Sequence, residues 1–356
     1  LLIFIACDVC FPEDANITNI DKWGSLGKQD GRFKTPSGIA ADNAGNIYVA
    51  DKENYRIQKF DSNGTFINKW GSKGEASDEF KAPSGLAVDN NGNVYVADKY
   101  NCRIQEFDKD GTFVNMWGSD GEEDGAFSGP SGIAVDSNKY IYVADTNNHR
   151  VQKFDPEGKF ILKWGSKGNR NAEFNTPEGI AVDNAGNVYV ADTNNHRIQK
   201  FDSNGTYINK WGSRGKNDRE FQYPKGVATD NSGNIYVADT EHNRIQKFDS
   251  NRAFLTKWGS YGRKDGEFSL PCSITVDSSG NVYVVDSGNN RVEKFVFQSK
   301  IVSNVKTAER KEKEVSMPVL VQTISDTLRT YLFKSKLFTI LERSKMNEIL
   351  AEQKFQ

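Results

Sequence analysis

Two histidines, His149 and His196, stand 47 residues apart, and a third, His242, falls one residue short of the next step. Imidazoles at repeated positions could hold a divalent metal that polarises a carbonyl or activates water. Such a site needs a third ligand or a placed carboxylate, and none stands at a fixed offset from the pair, so ordinary surface histidines remain the competing reading. In other copies the equivalent places hold Tyr55, Cys102, Asn243 and Asn290. A second variable position follows a repeated proline and holds Ser37, Ser84, Ser131, Glu178, Lys225 and Cys272. A ligand site acts once, so side chains that differ at a fixed place in a repeat are better candidates than identical ones. Glu178, Lys225, Cys272, Tyr55, His149 and His196 are therefore the candidate ligand-binding residues. No catalytic residue, metal ligand or cofactor is assigned, because no Ser/His/Asp order or Cys/His pair stands out of a symmetric array.

What must position these side chains is a repeat of period 47. All six Trp, at 23, 70, 117, 164, 211 and 258, are separated by that step, as are Phe33 to Phe268, Pro36 to Pro271, Asp51 to Asp286 and Arg56 to Arg291. A repeat of this length marks one supersecondary unit per copy. In residues 177–213 four apolar runs, "GIAVD", "NVYVAD", "RIQKFD" and "YINKWGS", are separated by "DNAGN", a short loop and "DSNGT". The Asx/Gly turns make the runs antiparallel neighbours, a four-stranded meander. Neither turn has the acidic residue that closes a calcium loop, so hairpin chemistry accounts for both.

The first two runs are nearly continuous and carry small residues, as expected near a crowded axis. The last two carry Gln199, Lys200, Asn209 and Lys210, as expected nearer solvent. Meanders with an inner and an outer edge imply an all-β fold, a six-bladed β-propeller. The sixth copy lacks its fourth run, and residues 17–23 are a fourth run without the other three. An unpaired edge is an aggregation hazard. Residues 17–23 are therefore predicted to pair with residues 291–296 and close the ring.

Strand alternation places the Trp-to-Pro connection and the Asp-to-Arg loop on one face, which carries the longer loops and is the expected binding face. The repeated Trp residues are expected between blades. Each Asp/Arg pair is expected to fix its loop by a bidentate contact, with an anion-binding arginine ring as the sharper alternative. Cys102 and Cys272 fall on non-adjacent blades and are expected to be free thiols. Charge at the rim is mixed, with Asp120, Glu122, Glu123 and Asp124 in one connection and Lys28, Arg32 and Lys34 in another. Mixed sign and a net charge of -2 disfavour nucleic acid and leave a protein, a saccharide or a small ligand as the expected partner.

The repeated motifs, Pro-x-Gly-Ile-Ala-Val-Asp, Gly-Asn-Val-Tyr-Val-Ala-Asp, Asn-x-Arg-Ile-Gln-Lys-Phe and Trp-Gly-Ser, resemble those of NHL-repeat proteins over residues 16–297. Departures are Lys139 in place of Gly, Thr229 in place of Val and Cys272-Ser273 in place of Ser-Gly. The resemblance implies a non-catalytic binding propeller. It leaves open a metal-dependent lyase or lactonase with its site at the channel mouth, and an RNA-binding domain. No RING-type Cys/His cluster accompanies the repeats.

The flanks differ. Residues 1–15 hold "LLIFIAC", which has the character of the end of a secretory segment, and Ile5-Ala6-Cys7 resembles a lipobox with Cys7 as the lipidated residue. Cys7 and Cys10 form a CxxC with no partner motif to make it a metal or redox site. Residues 298–317 read as a solvated linker. In residues 318–356, Leu320, Ile324, Leu328 and Leu332 mark an amphipathic helix, "LFTILE" a strand, and Ser344 the cap of a second helix. This stretch is similar to the opening of a curli-assembly CsgG-like α/β domain, which would supply an envelope assembly partner. The flanks together imply an extracytoplasmic location, periplasm or cell envelope, with membrane contact only through a lipid anchor.

Overall fold

The computed structural model describes residues 17–297, so Cys7, Cys10, the linker and the CsgG-like stretch lie outside the described residues. The described chain forms six four-stranded antiparallel sheets arranged as the blades of a propeller. In blade one the strands are Pro36–Ala41, Ile47–Asp51, Arg56–Phe60 and Phe66–Trp70. The first hairpin is set by Asp42, whose Oδ1 accepts the amide hydrogens of Ala44 at 2.9 Å and Asn46 at 2.8 Å, while Gly45 takes φ +85°. The same aspartate turn recurs in every blade because only the short Asx side chain reaches its own turn amides.

The second strand is buried throughout, and the fourth alternates between half-buried and exposed residues. The third strand departs from the expectation that it lies nearer solvent: Gln58, Gln105, Gln152, Gln199 and Gln246 are all fully buried. Their amides serve the scaffold, as Gln58 does by donating to buried Asp51 and to the Arg32 carbonyl. Inner strands of neighbouring blades approach so closely that a Cβ at Gly38 would lie 2.0 Å from the Ser84 carbonyl oxygen, which explains the glycine in that motif.

The core is a set of inter-blade layers. Trp70 packs on Tyr48 of its own blade at 6.2 Å and on Phe107 of the next at 5.8 Å, and its cluster includes Phe80, Leu86 and Val96. Edge and tilted ring contacts of this kind add to the burial of both rings. The Trp residues thus lie between blades, as their spacing implied.

Closure follows the strand count. Ile17–Trp23 pairs antiparallel with Arg291–Phe297, with Ile20 opposite Phe295 and Trp23 opposite Val292. Trp23 then packs on Phe60 of blade one and Tyr283 of blade six, repeating the contacts of the other five. The orphan copy is the fourth strand of the sixth blade.

One departure from the repeat is compensated by a neighbour. Five blades place a lysine over the buried tyrosine of the second strand, as Lys59 does over Tyr48, but blade two has Glu106 there. Glu106 accepts from Asn93 at 3.0 Å and Tyr95 at 3.2 Å. Lys139 supplies the missing cation from blade three, its Nζ 3.1 Å from buried Asp89, although its backbone φ of +67° would suit glycine better.

Candidate functional site

The residues common to all copies serve the scaffold. Buried Asp51 accepts the Lys34 amide at 2.7 Å through Oδ1, and through Oδ2 accepts Asn54 at 2.8 Å, Arg56 Nε at 2.8 Å and Gln58 Nε2 at 3.1 Å. Arg56 turns its other edge to the carbonyls of Gln29 and Arg32, and Gln58 donates to the Arg32 carbonyl as well. The same net appears around Asp192, where Arg197 donates to the carbonyls of Asn169, Arg170 and Glu173. Asp and Arg therefore meet through one Nε contact and not the expected bidentate one, because the guanidinium fork folds the Trp-to-Pro connection over the blade. Arg56, Arg103, Arg150, Arg197, Arg244 and Arg291 are all buried, so their guanidinium groups do not form an open anion-binding ring.

Blade six alters this net. Where five blades have Gln, it has Glu293, which cannot donate while ionised. Its Oε2 accepts the Gly266 amide at 3.0 Å and its Oε1 lies 2.5 Å from the Arg291 guanidinium, with the Asp286 carboxylate close by. Burial pushes the Glu293 carboxyl up to about 7, with Asp286 adding to the rise and Arg291 opposing it.

The histidines are held in the seams between blades. His149 and His196 take left-handed backbone angles, φ 53° and 55°, and each accepts an amide hydrogen of the next blade's connection through Nδ1, from Thr176 at 3.0 Å and Tyr223 at 3.1 Å. Asn243 and Asn290 do the same for Leu270 and Thr35 through Oδ1, both at 2.8 Å. Burial, reinforced by Lys167 and Arg214 respectively, holds both imidazoles below the ordinary histidine value, so Nδ1 stays available as an acceptor. His242 takes the place of the asparagine in the aspartate net, 3.0 Å from Asp239. Tyr55 lies in the first such seam with Lys73 over its ring at 5.3 Å. Among the described residues no three His, Cys, Asp or Glu side chains converge as a metal site.

Glu178, Lys225 and Cys272 are brought together, with Ser37, Ser84 and Ser131, around the mouth of a central channel of about 550 Å³. Their backbone starts each inner strand, which is why a position varying in sequence becomes a ring in space. Ser37 and Ser84 close on the scaffold, Ser37 Oγ donating to the Pro83 carbonyl at 2.8 Å and Ser84 Oγ to the Ala97 carbonyl at 3.0 Å. Cys272 is a free thiol with Sγ 3.4 Å from the Ser37 carbonyl oxygen, and burial raises it to about 12. Cys102, also free, has its thiol pushed up by burial. Glu178 and Lys225 face each other across 3.3 Å.

Sequence reasoning missed two members of this mouth, Lys52 and Lys99. They follow the repeated Asp51 and Asp98, where other copies have Thr146, Thr193, Thr240 and Ser287. The same test of variation at a fixed place would have found them. The opposite end of the channel is lined by Ala41, Val88, Val135, Val182, Thr229 and Val276. The channel is polar at one end and apolar at the other.

The NHL repeat model matches residues 33–60, 80–107, 127–154, 174–201, 221–248 and 268–295, one segment in each blade. These are NHL repeats. Among solved structures, the NHL propeller is similar to a protein of unknown function from Bacteroides thetaiotaomicron, 18% identical with a TM-score of 0.61, covering 79% of this chain and 77% of that one. It is also similar to a gluconolactonase from Xanthomonas campestris, 15% identical with a TM-score of 0.59 over 80% of this chain and 92% of that one. A virginiamycin B lyase from Staphylococcus aureus is 16% identical with a TM-score of 0.56 over 78% and 99%. At these identities the likeness is one of fold. The B-box type zinc finger protein ncl-1 of Caenorhabditis elegans is 50% identical over 40 residues, which are 11% of this chain and 5% of that protein.

Proposed function

We propose that this NHL propeller is a non-catalytic receptor that recognises its ligand at the loop-rich mouth of the central channel. One observation carries the reading. The repeated polar side chains are consumed by the scaffold, whereas the charged side chains that break the repeat, Lys52, Lys99, Glu178, Lys225 and Glu241, gather at that mouth. Exposed Leu26, Tyr100, Tyr261 and Leu270 lie in loops of the same face and offer apolar contact to whatever docks there. Both seam histidines already accept backbone hydrogen bonds through Nδ1, which supports a structural role over metal ligation.

The test is a thermal-shift screen of the full chain against saccharides and small carboxylates, run with and without a chelator. A receptor gives a ligand-dependent rise of Tm that follows mass action and is indifferent to chelation. K225A should abolish the rise without changing the unliganded Tm by more than about 2 °C, since a half-buried, solvent-reachable pair contributes little. Chelator-sensitive consumption of a lactone or cyclic depsipeptide would replace this reading with an enzymatic one. Location in the cell envelope is part of the same proposal and rests on Cys7: palmitate labelling in a bacterial host, lost in C7A, supports it, and an unlabelled full-length chain removes it.

A further inference from the structure

Lys52 and Lys99 occupy the same place in adjacent blades, one residue beyond the buried Asp51 and Asp98, and both line the channel mouth. Neither ammonium has an ion-pair partner among the described residues. The acids nearby are committed elsewhere or open to water. Glu53 is held by Lys34 at 3.0 Å and by the Thr35 hydroxyl at 2.9 Å, and Glu178 faces Lys225 on the opposite side of the ring. Glu241, on blade five, also lines the mouth and is exposed, so three lysines stand against two carboxylates there. Lys52, Lys99, Lys225 and Glu178 line the same mouth, and Lys99 feels the fields of the other three. Burial is the main cause holding its ammonium below the ordinary lysine value; Glu178 opposes the shift, and the two other lysines add to it. Excess positive charge in a partly dehydrated concavity is relieved by a bound anion, and an anion gains most where water is already displaced.

We propose that Lys52 and Lys99 form the binding site for the anionic oxygen group, carboxylate or phosphate, of a small solute whose remainder enters the channel. The inference deepens the receptor reading and rests on it. The channel volume of about 550 Å³ suits a small molecule, and its wall combines small residues such as Gly85, Ala87 and Gly132 with aliphatic ones such as Leu86, Ile133 and Ile180, which offer apolar contact to the rest of that molecule. The Glu178/Lys225 pair across the mouth then offers both a donor and an acceptor to polar groups on the same molecule.

Isothermal titration of the full chain with succinate and, separately, inorganic phosphate at low ionic strength tests this. One saturable site is expected for at least one probe, phosphate or succinate alone deciding which oxyanion is preferred. Binding should weaken about tenfold or more in K52Q and in K99Q, the size expected for one charge-assisted hydrogen bond. K99R should retain it, and K28Q, on the exposed rim, should leave it unchanged. Equal weakening in K28Q, or no saturable binding of either probe, overturns the inference. If neither anion binds while a neutral saccharide still raises Tm, the anion site falls and the receptor reading stands. If nothing binds, both fall.

Discussion

Replacing Glu293 by glutamine should stabilise the propeller at alkaline pH and do nothing at acid pH. In five blades a buried glutamine amide donates to an aspartate and to a connection carbonyl, for example Gln199 to Asp192 at 3.1 Å and to the Glu173 carbonyl at 2.7 Å. Glu293 can imitate that amide only when protonated. Burial raises it from 4.5 to about 7, so between these values the native chain holds a proton that the unfolded chain has released. A raised native value means stability that is full below about 4.5 and is lost as pH rises through about 7. At 1.36 kcal/mol per pH unit the ceiling is about 3 kcal/mol, and relaxation around the buried carboxyl and its Arg291 partner brings the expected effect to about 1–2 kcal/mol. E293Q carries the donor at every pH. Its advantage over the parent chain should therefore grow from near zero at pH 5 to about 1–2 kcal/mol at pH 8, or about 2–6 °C in Tm. Chemical denaturation of both chains across that range reads the difference directly, since titrating groups outside this net cancel. A difference that is constant with pH, or that favours the parent chain above pH 7, refutes the reasoning.

Asparagine should replace either seam histidine without loss, because Asn243 and Asn290 already do this work and tolerate left-handed angles. H149A and H196A should each cost about 1–2 kcal/mol by leaving an amide unpartnered. The depressed histidine values imply stability present above about 6.5 and lost as pH falls, a dependence that urea titrations should find absent in the asparagine variants. K139G removes backbone strain but strips Asp89 and Glu106 of their cation, so it should destabilise by about 1–3 kcal/mol, and adding E106K should restore stability; additive effects in that double-mutant cycle would deny the compensation. Deleting residues 1–23 exposes the edge of Arg291–Phe297 together with the rings around Trp23, and should abolish single-step unfolding in calorimetry, whereas an unchanged melting curve would show that the closing strand is dispensable.

Where the candidate residues lie was partly legible because a repeat converts sequence position into place. Glu178, Lys225 and Cys272 were found from variation after a fixed proline, and the structure gathers them at the channel mouth. Lys52 and Lys99 were missed for lack of the same comparison one residue past each aspartate. His149 and His196 varied at a fixed place too, yet they serve the seams. A single sequence cannot separate a side chain that varies because it meets a ligand from one that varies because two residue types can accept the same hydrogen bond.

The sequence by itself determined the number of blades, the order of strands within each and the identity of the closing strand. These follow from period, turn chemistry and strand count, which are local or countable properties. Only the tertiary structure decided what the polar residues do. Whether a glutamine in the third strand faces water or a buried aspartate, whether an arginine grips a carboxylate or three carbonyls, and which lysines share a cavity all depend on how the connections and neighbouring blades fold over each strand, such as the carbonyls 24 to 28 residues before each arginine, and spacing along the chain carries no direction in space.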